Sequence, residues 1–133
     1  MSIFGDYQHT VRVYTEDVDY MGIVYHANYL RYLERSRTEV LRSKELLLSE
    51  LNQQQILFAI AQLQLQFKAP ARLDDLLTIK TSVKQIKNCS FIMEQIIINQ
   101  HNTVICKAEV SVVCVNTDLK PIRLPLVFDK KNC

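Results

Sequence analysis

The sequence predicts an α+β fold: one long helix packed on an antiparallel sheet of about five strands. Three observations predict it. A helical period runs over 24–44 without Gly or Pro, an apolar–polar alternation marks 61–67, and three further strand-like runs follow with short breaks between them. Successive strands with short breaks favour antiparallel pairing, and a single amphipathic helix must bury its apolar stripe on the sheet. At 133 residues, 48% hydrophobic and 23% charged, the chain is expected to form one domain, 1–133.

Taken in order, "HTVRVYTE" (9–16) alternates, with Val11 and Val13 facing one way and Arg12 and Tyr14 the other. In the helix, Tyr29, Leu33, Ser36 and Val40 share one face, widened by Leu30 and Leu41. Arg31, Glu34, Arg35, Thr38 and Arg42 lie largely elsewhere. A short extra turn of helix is expected at 49–53. "AQLQLQF" (61–67) sets Gln62, Gln64 and Gln66 against Ala61, Leu63, Leu65 and Phe67. Pro70, which cannot donate to a ladder, breaks that strand. Strands are expected at 76–86, 91–100 and 104–116, and an extended piece reaches Pro125.

Several function classes are disfavoured. The net charge of +2 arises from interspersed basic and acidic residues, which does not indicate nucleic-acid binding. No apolar run approaches the roughly 18 residues of a spanning helix, and "MSIFGDYQHT" lacks a signal peptide's apolar stretch. No membrane insertion and a cytoplasmic location are expected. Cys89, Cys106, Cys114 and Cys133 form no CxxC and no zinc-finger spacing with a histidine, and His9, His26 and His101 sit in separate segments. No metal site is expected. Cys106 and Cys114, eight residues apart in one strand, fall on one face and read as small apolar side chains.

Chemistry concentrates in "EDVDYMGIVYHANYLRYLE" (16–34), the connection between first strand and helix. A carboxylate before a helix is commonly an N-cap, so Asp17 or Asp19 has a purely structural explanation. Asp19, however, stands four or five residues before the expected first turn, early for a cap. Gly22 is one of only two glycines, against an average usage of about 7%, so it answers a backbone need. Glycine before a helix lets backbone N–H groups approach a ligand, where they and the helix dipole stabilise developing negative charge. An acid facing such a site suits hydrolysis of a carbonyl compound.

The stretch "VRVYTEDVDYMGIVYHANYLRYLERSRTEVLR" resembles the opening of the 4-hydroxybenzoyl-CoA thioesterase-like hotdog family. It is most similar to the YbgC subgroup, acyl-CoA thioesterases associated with the Tol-Pal system. That subgroup typically shows Y-x-E-D-x-D-x-x-G-[IV]-V-Y-H-x-x-Y-L, then E-R-x-R-x-E on the helix. The matching residues are Tyr14, Glu16, Asp17, Asp19, Gly22, Ile23, Val24, Tyr25, His26, Tyr29 and Leu30, then Glu34, Arg35, Arg37 and Glu39. Similarity continues through "LDDLLTIKT" and "CVN…LKPIRLP", and so covers nearly the whole chain.

The resemblance implies a hotdog fold, a homodimer or dimer of dimers with sites where subunits meet, and hydrolysis of an acyl-CoA to free acid and CoA. CoA is part of the substrate, and no cofactor is expected. The catalytic acid of the family falls on Asp19. The oxyanion and substrate-binding backbone falls on Gly22, Ile23, Val24 and Tyr25, with the helix-start amides near Tyr25 and His26 polarising the carbonyl. Met21 departs from the subgroup, which commonly has a second glycine there. A thiolate leaves readily, its free thiol having a pKa near 8.5, so the site must supply a nucleophile or base and carbonyl stabilisation. Asp19 either attacks the carbonyl or directs a water. His26, placed on the helix's apolar side, is either structural or orients Asp19 or the water. Asp17 and Glu16 read as turn residues, Tyr25 and Tyr29 as packing or acyl-pocket residues, and Arg35 and Arg37 as partners of Glu34 or Glu39. The turn "KQIKNCS" keeps Lys87 as a CoA-phosphate candidate, while Asn88 and Cys89 replace basic residues seen in some relatives. This leaves acyl carrier protein open as the donor. A binding protein for acyl carriers or envelope assembly, with little turnover, is the alternative. A hotdog dehydratase lacks its usual His and acid pair here.

Overall fold

The computed structural model describes residues 6–128; Cys133 lies outside them. The strands are β1 (Tyr7–Arg12), β2 (Leu57–Phe67), β3 (Leu76–Ile86), β4 (Ser90–Ile98) and β5 (Val104–Val115). Two helices, α1 (Asn28–Ser43) and α2 (Leu48–Gln53), lie between β1 and β2, and 3-10 turns occupy Thr15–Asp17 and Leu126–Phe128. All strand pairings are antiparallel and the order is β1-β3-β4-β5-β2, which makes β1 and β2 the edges.

The periodicities explain the layers. Tyr29, Tyr32, Leu33, Ser36, Val40 and Leu41 of α1 are buried, while the sheet contributes Ile79, Val83, Phe91, Met93, Ile97, Val110 and Val112 to the same cluster. Charged residues take the sheet's other face, where Lys84 Nζ meets Glu94 Oε2 at 2.9 Å. In β2, Leu63 and Leu65 stand opposite Val110 and Ala108, and Gln64 opposite Glu109. A bulge between Ile60 and Gln62 takes Ala61 out of the expected alternation. Cys106 and Cys114 are both buried, and burial pushes the Cys106 thiol up to about 12. Phe128 closes the core, stacked on Phe91 at 4.7 Å.

Three boundaries and contacts differ from expectation. β1 ends at Arg12 because the chain turns: Asp17 Oδ2 accepts the Tyr14 N–H at 2.8 Å and closes the 3-10 turn. α1 begins at Asn28 rather than residue 24, because Val24 is held in an antiparallel bridge to Val18, with its amide on Ala71 O (2.8 Å) and that of Tyr25 on Asp17 O (3.0 Å). Arg37 does not join a charged helix face. Its guanidinium turns inward to Gln95 Oε1 at 3.1 Å, and Glu39 pairs with Arg42 instead.

Candidate active site

Residues 17–25 form a miniature antiparallel pair. Val18 bridges Val24, the Tyr25 N–H donates to Asp17 O (3.0 Å), and the Asp19 N–H donates to Ile23 O (2.9 Å). Between the two arms the chain turns through Tyr20, Met21 and Gly22, with the Gly22 N–H on Asp19 O at 3.0 Å. Gly22 has φ +78°, and a Cβ there would meet nothing within 4 Å. Its need is therefore the left-handed backbone, not close packing. A second anchor comes from the loop after Pro70: Ile23 bridges Arg72, and the Ala71 N–H donates to the Tyr29 hydroxyl at 3.0 Å.

Asp17 and Asp19 are separated by one extended residue, Val18 (φ −104°, ψ 153°), yet serve different partners. Asp17 accepts from Tyr14 N–H and from Asn28 Nδ2 (3.0 Å). The Asp19 carboxylate lies over its own turn, with Oδ1 taking the Met21 N–H at 2.8 Å, and is partly open to solvent. His26 precedes α1 and is exposed, not on the helix's apolar side. Its ring leans on Tyr25 at 4.6 Å, and no hydrogen bond among the described residues joins it to Asp19.

The expected oxyanion amides are mostly engaged. Those of Gly22, Val24 and Tyr25 donate to backbone carbonyls, so these residues shape the loop, with Ile23 contributing the bridge to Arg72. Among the described residues, no protein acceptor meets the next two amides, His26 and Ala27, at the entrance to α1. Tyr32 adds a buried hydroxyl beside Asp17 that reaches no partner at hydrogen-bonding geometry; burial first, then the Asp17 charge, pushes its pKa up. Asn28 and Tyr32 were not singled out from sequence. The available signal was a polar Asn one turn before an aromatic on the buried face.

Lys87 is not gathered with the others. It sits exposed in the β3–β4 turn, at the end of β3 remote from Arg72 and the Asp19 loop. An open recess between α1 and β2, lined in part by Arg37, Leu41, Phe58, Ile60 and Met93, likewise does not include Asp19. No helix among the described residues is long and apolar enough to cross a membrane.

The profile of the thioesterase-like superfamily matches residues 13–131. Acyl-CoA thioester hydrolase YbgC of Escherichia coli O6:H1 is 42% identical over 116 residues, 86% of this chain and 87% of the relative. Acyl-CoA thioesterase YbgC of Haemophilus influenzae is 40% identical over 120 residues, 86% of this chain and 85% of the relative. The solved structure of BH1999 gentisyl-coenzyme A thioesterase is similar at a TM-score of 0.86 and 30% identity, across 96% of this chain and 100% of that one. A 1,4-dihydroxy-2-naphthoyl-CoA thioesterase from Synechocystis shares the fold, with a TM-score of 0.89 at 22% identity over 97% of this chain and 96% of that one. The profile match runs through the Asp19 loop, α1 and all but the first strand of the sheet, and the solved structures share the fold, so the hotdog reading holds and the chain belongs to the thioesterase-like superfamily.

Proposed function

We propose that this protein hydrolyses acyl-CoA thioesters to the free acid and CoA, with Asp19 as nucleophile or general base. The observation that carries the site is the small 17–25 hairpin, which ties the Asp19 turn to the entrance of α1. There the unengaged His26 and Ala27 amides supply oxyanion donors at the positive helix end. This moves the expected donors onward from Gly22, Val24 and Tyr25, whose amides hold the loop in shape. His26, exposed at the same entrance, orients the attacking water. The printed activities of the YbgC relatives support the acyl-CoA substrate class.

The site is shared between two copies. β2 is an 11-residue edge strand, largely exposed, and an unpaired edge of that length invites a partner. Two-fold antiparallel pairing through β2 brings the Phe67 end of one copy to the Leu57 end of the other. That sets one copy's Asp19 loop toward the other's recess and Lys87 turn. A monomer by light scattering at micromolar concentration would contradict this arrangement.

Thiol release from an acyl-CoA chain-length panel, with an acyl-carrier-protein thioester alongside, tests the chemistry and the carrier. Asp19→Asn keeps size but loses the carboxylate, and is expected to lower kcat at least about 10²-fold with substrate binding largely kept. Wild-type turnover in Asp19→Asn would overturn the catalytic assignment of Asp19, and a wild-type protein that releases no thiol from any thioester would favour a binding protein.

A further inference from the structure

Asn28 is polar yet only 7% exposed, and it is the first residue of α1. Its Nδ2 donates to Asp17 Oδ1 at 3.0 Å, while its backbone N–H donates to Tyr25 O at 2.8 Å. Asp17 in turn accepts the Tyr25 N–H through its carbonyl and the Tyr14 N–H through its other carboxylate oxygen. One residue is thus joined to the chain immediately before and immediately after His26 and Ala27. Two positions later in the sequence stands Asp19, held by the same hairpin. The clamp is buried on its inner side by Tyr32, whose hydroxyl lies beside Asp17.

We propose that Asn28 is a positioning residue for thioester hydrolysis: through Asp17 it fixes where the His26 and Ala27 amides stand relative to Asp19. The inference rests on the hydrolytic reading above. Asparagine suits the position because it offers a donor to a carboxylate without bringing a charge. Alanine would leave Asp17 Oδ1 without this donor, and aspartate would set two carboxylates against each other. Misplacing reacting groups by about an ångström costs on the order of 10² in rate, so the loss belongs in kcat.

The test is a charge swap read by steady-state kinetics on acyl-CoA, well below each variant's unfolding midpoint. Asn28→Asp is expected to lose at least about tenfold in kcat, with KM within about threefold of wild type. In the double variant Asp17→Asn/Asn28→Asp, the introduced amide can accept the Tyr14 N–H and donate to the introduced carboxylate. The same bond is made in reverse, and kcat is expected to return to within about threefold of wild type. A folded Asn28→Asp with wild-type kcat overturns the proposal, as does a folded swap no more active than the single variant. If Asn28→Asp alone does not fold, the swap is compared with Asn28→Ala, and equal kcat in those two overturns it. Wild-type kcat in Asn28→Asp beside an inactive Asp19→Asn removes this inference alone. Wild-type kcat in Asp19→Asn removes the Asp19 assignment beneath it, and a wild-type protein that releases no thiol removes the hydrolytic reading itself.

Discussion

Helix α1 carries two polar clusters, and they are treated in opposite ways. The first is deep in the core. Gln95, fully buried, accepts from Arg37 through Oε1 (3.1 Å) and donates through Nε2 to Leu33 O and Thr81 Oγ1 (both 3.0 Å), while Thr81 shares a 2.9 Å bond with Ser36. The second is at the helix entrance. There, among the described residues, the His26 and Ala27 amides have no protein acceptor, and the Asp19 carboxylate is bonded only to the Met21 N–H of its own turn. Satisfied buried groups fix how helix and sheet sit together. Groups left unengaged at a solvent-open helix end are available to a ligand. The difference separates what holds this fold from what stands open to a ligand.

Breaking the core cluster should give the largest effect on stability. Gln95→Ala removes three bonds and leaves a cavity, with the Arg37 guanidinium, already depressed in pKa by burial, losing its Gln95 acceptor. The expected cost is about 2–4 kcal/mol in denaturant unfolding, with kcat per folded molecule retained. Asp19→Asn should show the reverse: lost turnover and an unfolding curve close to wild type. If Gln95→Ala lowered kcat while stability held, the division between the two clusters would fail.

Alkaline pH sharpens the same contrast. Burial raises the pKa of Tyr29, Tyr32 and Cys106, the thiol from 9.0 to about 12. Each group is neutral when folded and ionises at lower pH when unfolded, so the unfolded state binds fewer protons and stability falls as pH rises. The loss should begin near pH 9, where an unfolded thiol ionises, and deepen toward pH 12. Thermal unfolding across pH 7–11 checks this, and a flat midpoint would contradict it. Iodoacetamide at pH 8 should leave Cys106 unlabelled until the chain unfolds.

Much of this architecture was legible because periodicity reports burial directly. The Tyr29–Leu33–Ser36–Val40 stripe marks the face that α1 buries, whereas the Gln–Leu alternation of β2 marks a strand at the sheet edge, where, of 61–67, only Leu65 is half-buried against the core. What was not legible depends on partners distant in sequence. Nothing near Val24 says that its amide will meet Ala71, 47 positions on, or that it will bridge Val18 and not join the helix. Arg37 has acidic neighbours at helical spacing, yet a buried amide from β4 takes it. At the site, Asp19 and Gly22 stood out by position and rarity. Asn28 did not, because what marks it is a bond from the start of α1 to Asp17, 11 positions back at the end of the 3-10 turn. Lys87 stood out as a CoA-phosphate candidate by its charge in the turn, while its distance from Asp19 within one copy follows only from the strand directions.

Gly22 tests whether the Asp19 turn is held by backbone conformation alone. With φ +78° and open space where a Cβ would stand, Gly22→Ala should cost about 1–2 kcal/mol through left-handed strain, without a clash. Gly22→Asn should recover part of that loss, since asparagine tolerates this region better. Thermal unfolding of both variants decides. Unchanged stability with a raised KM would instead mean that the glycine serves substrate approach.

The smallest effect is expected at Lys87, and it examines the assembly. β3 runs 11 residues from the neighbourhood of the Asp19 loop to the Lys87 turn, roughly 35 Å at strand rise. Asp19 and Lys87 of one copy are thus held apart by the length of the sheet, whereas the proposed two-fold pairing through β2 would turn one copy's Lys87 end toward the other's Asp19. If Lys87 meets a CoA phosphate across that boundary, Lys87→Ala should raise KM for acyl-CoA a few-fold and leave kcat nearly unchanged, the pattern of lost uniform binding. Added salt should weaken the wild type toward the variant, because an exposed lysine–phosphate contact is screened. A pantetheine thioester without the nucleotide should be hydrolysed equally by both proteins. Equal loss on the two substrates would indicate structural damage to the turn. No change on either would leave Lys87 a solvated surface lysine, and the carrier at the far end would then have to be recognised by other residues.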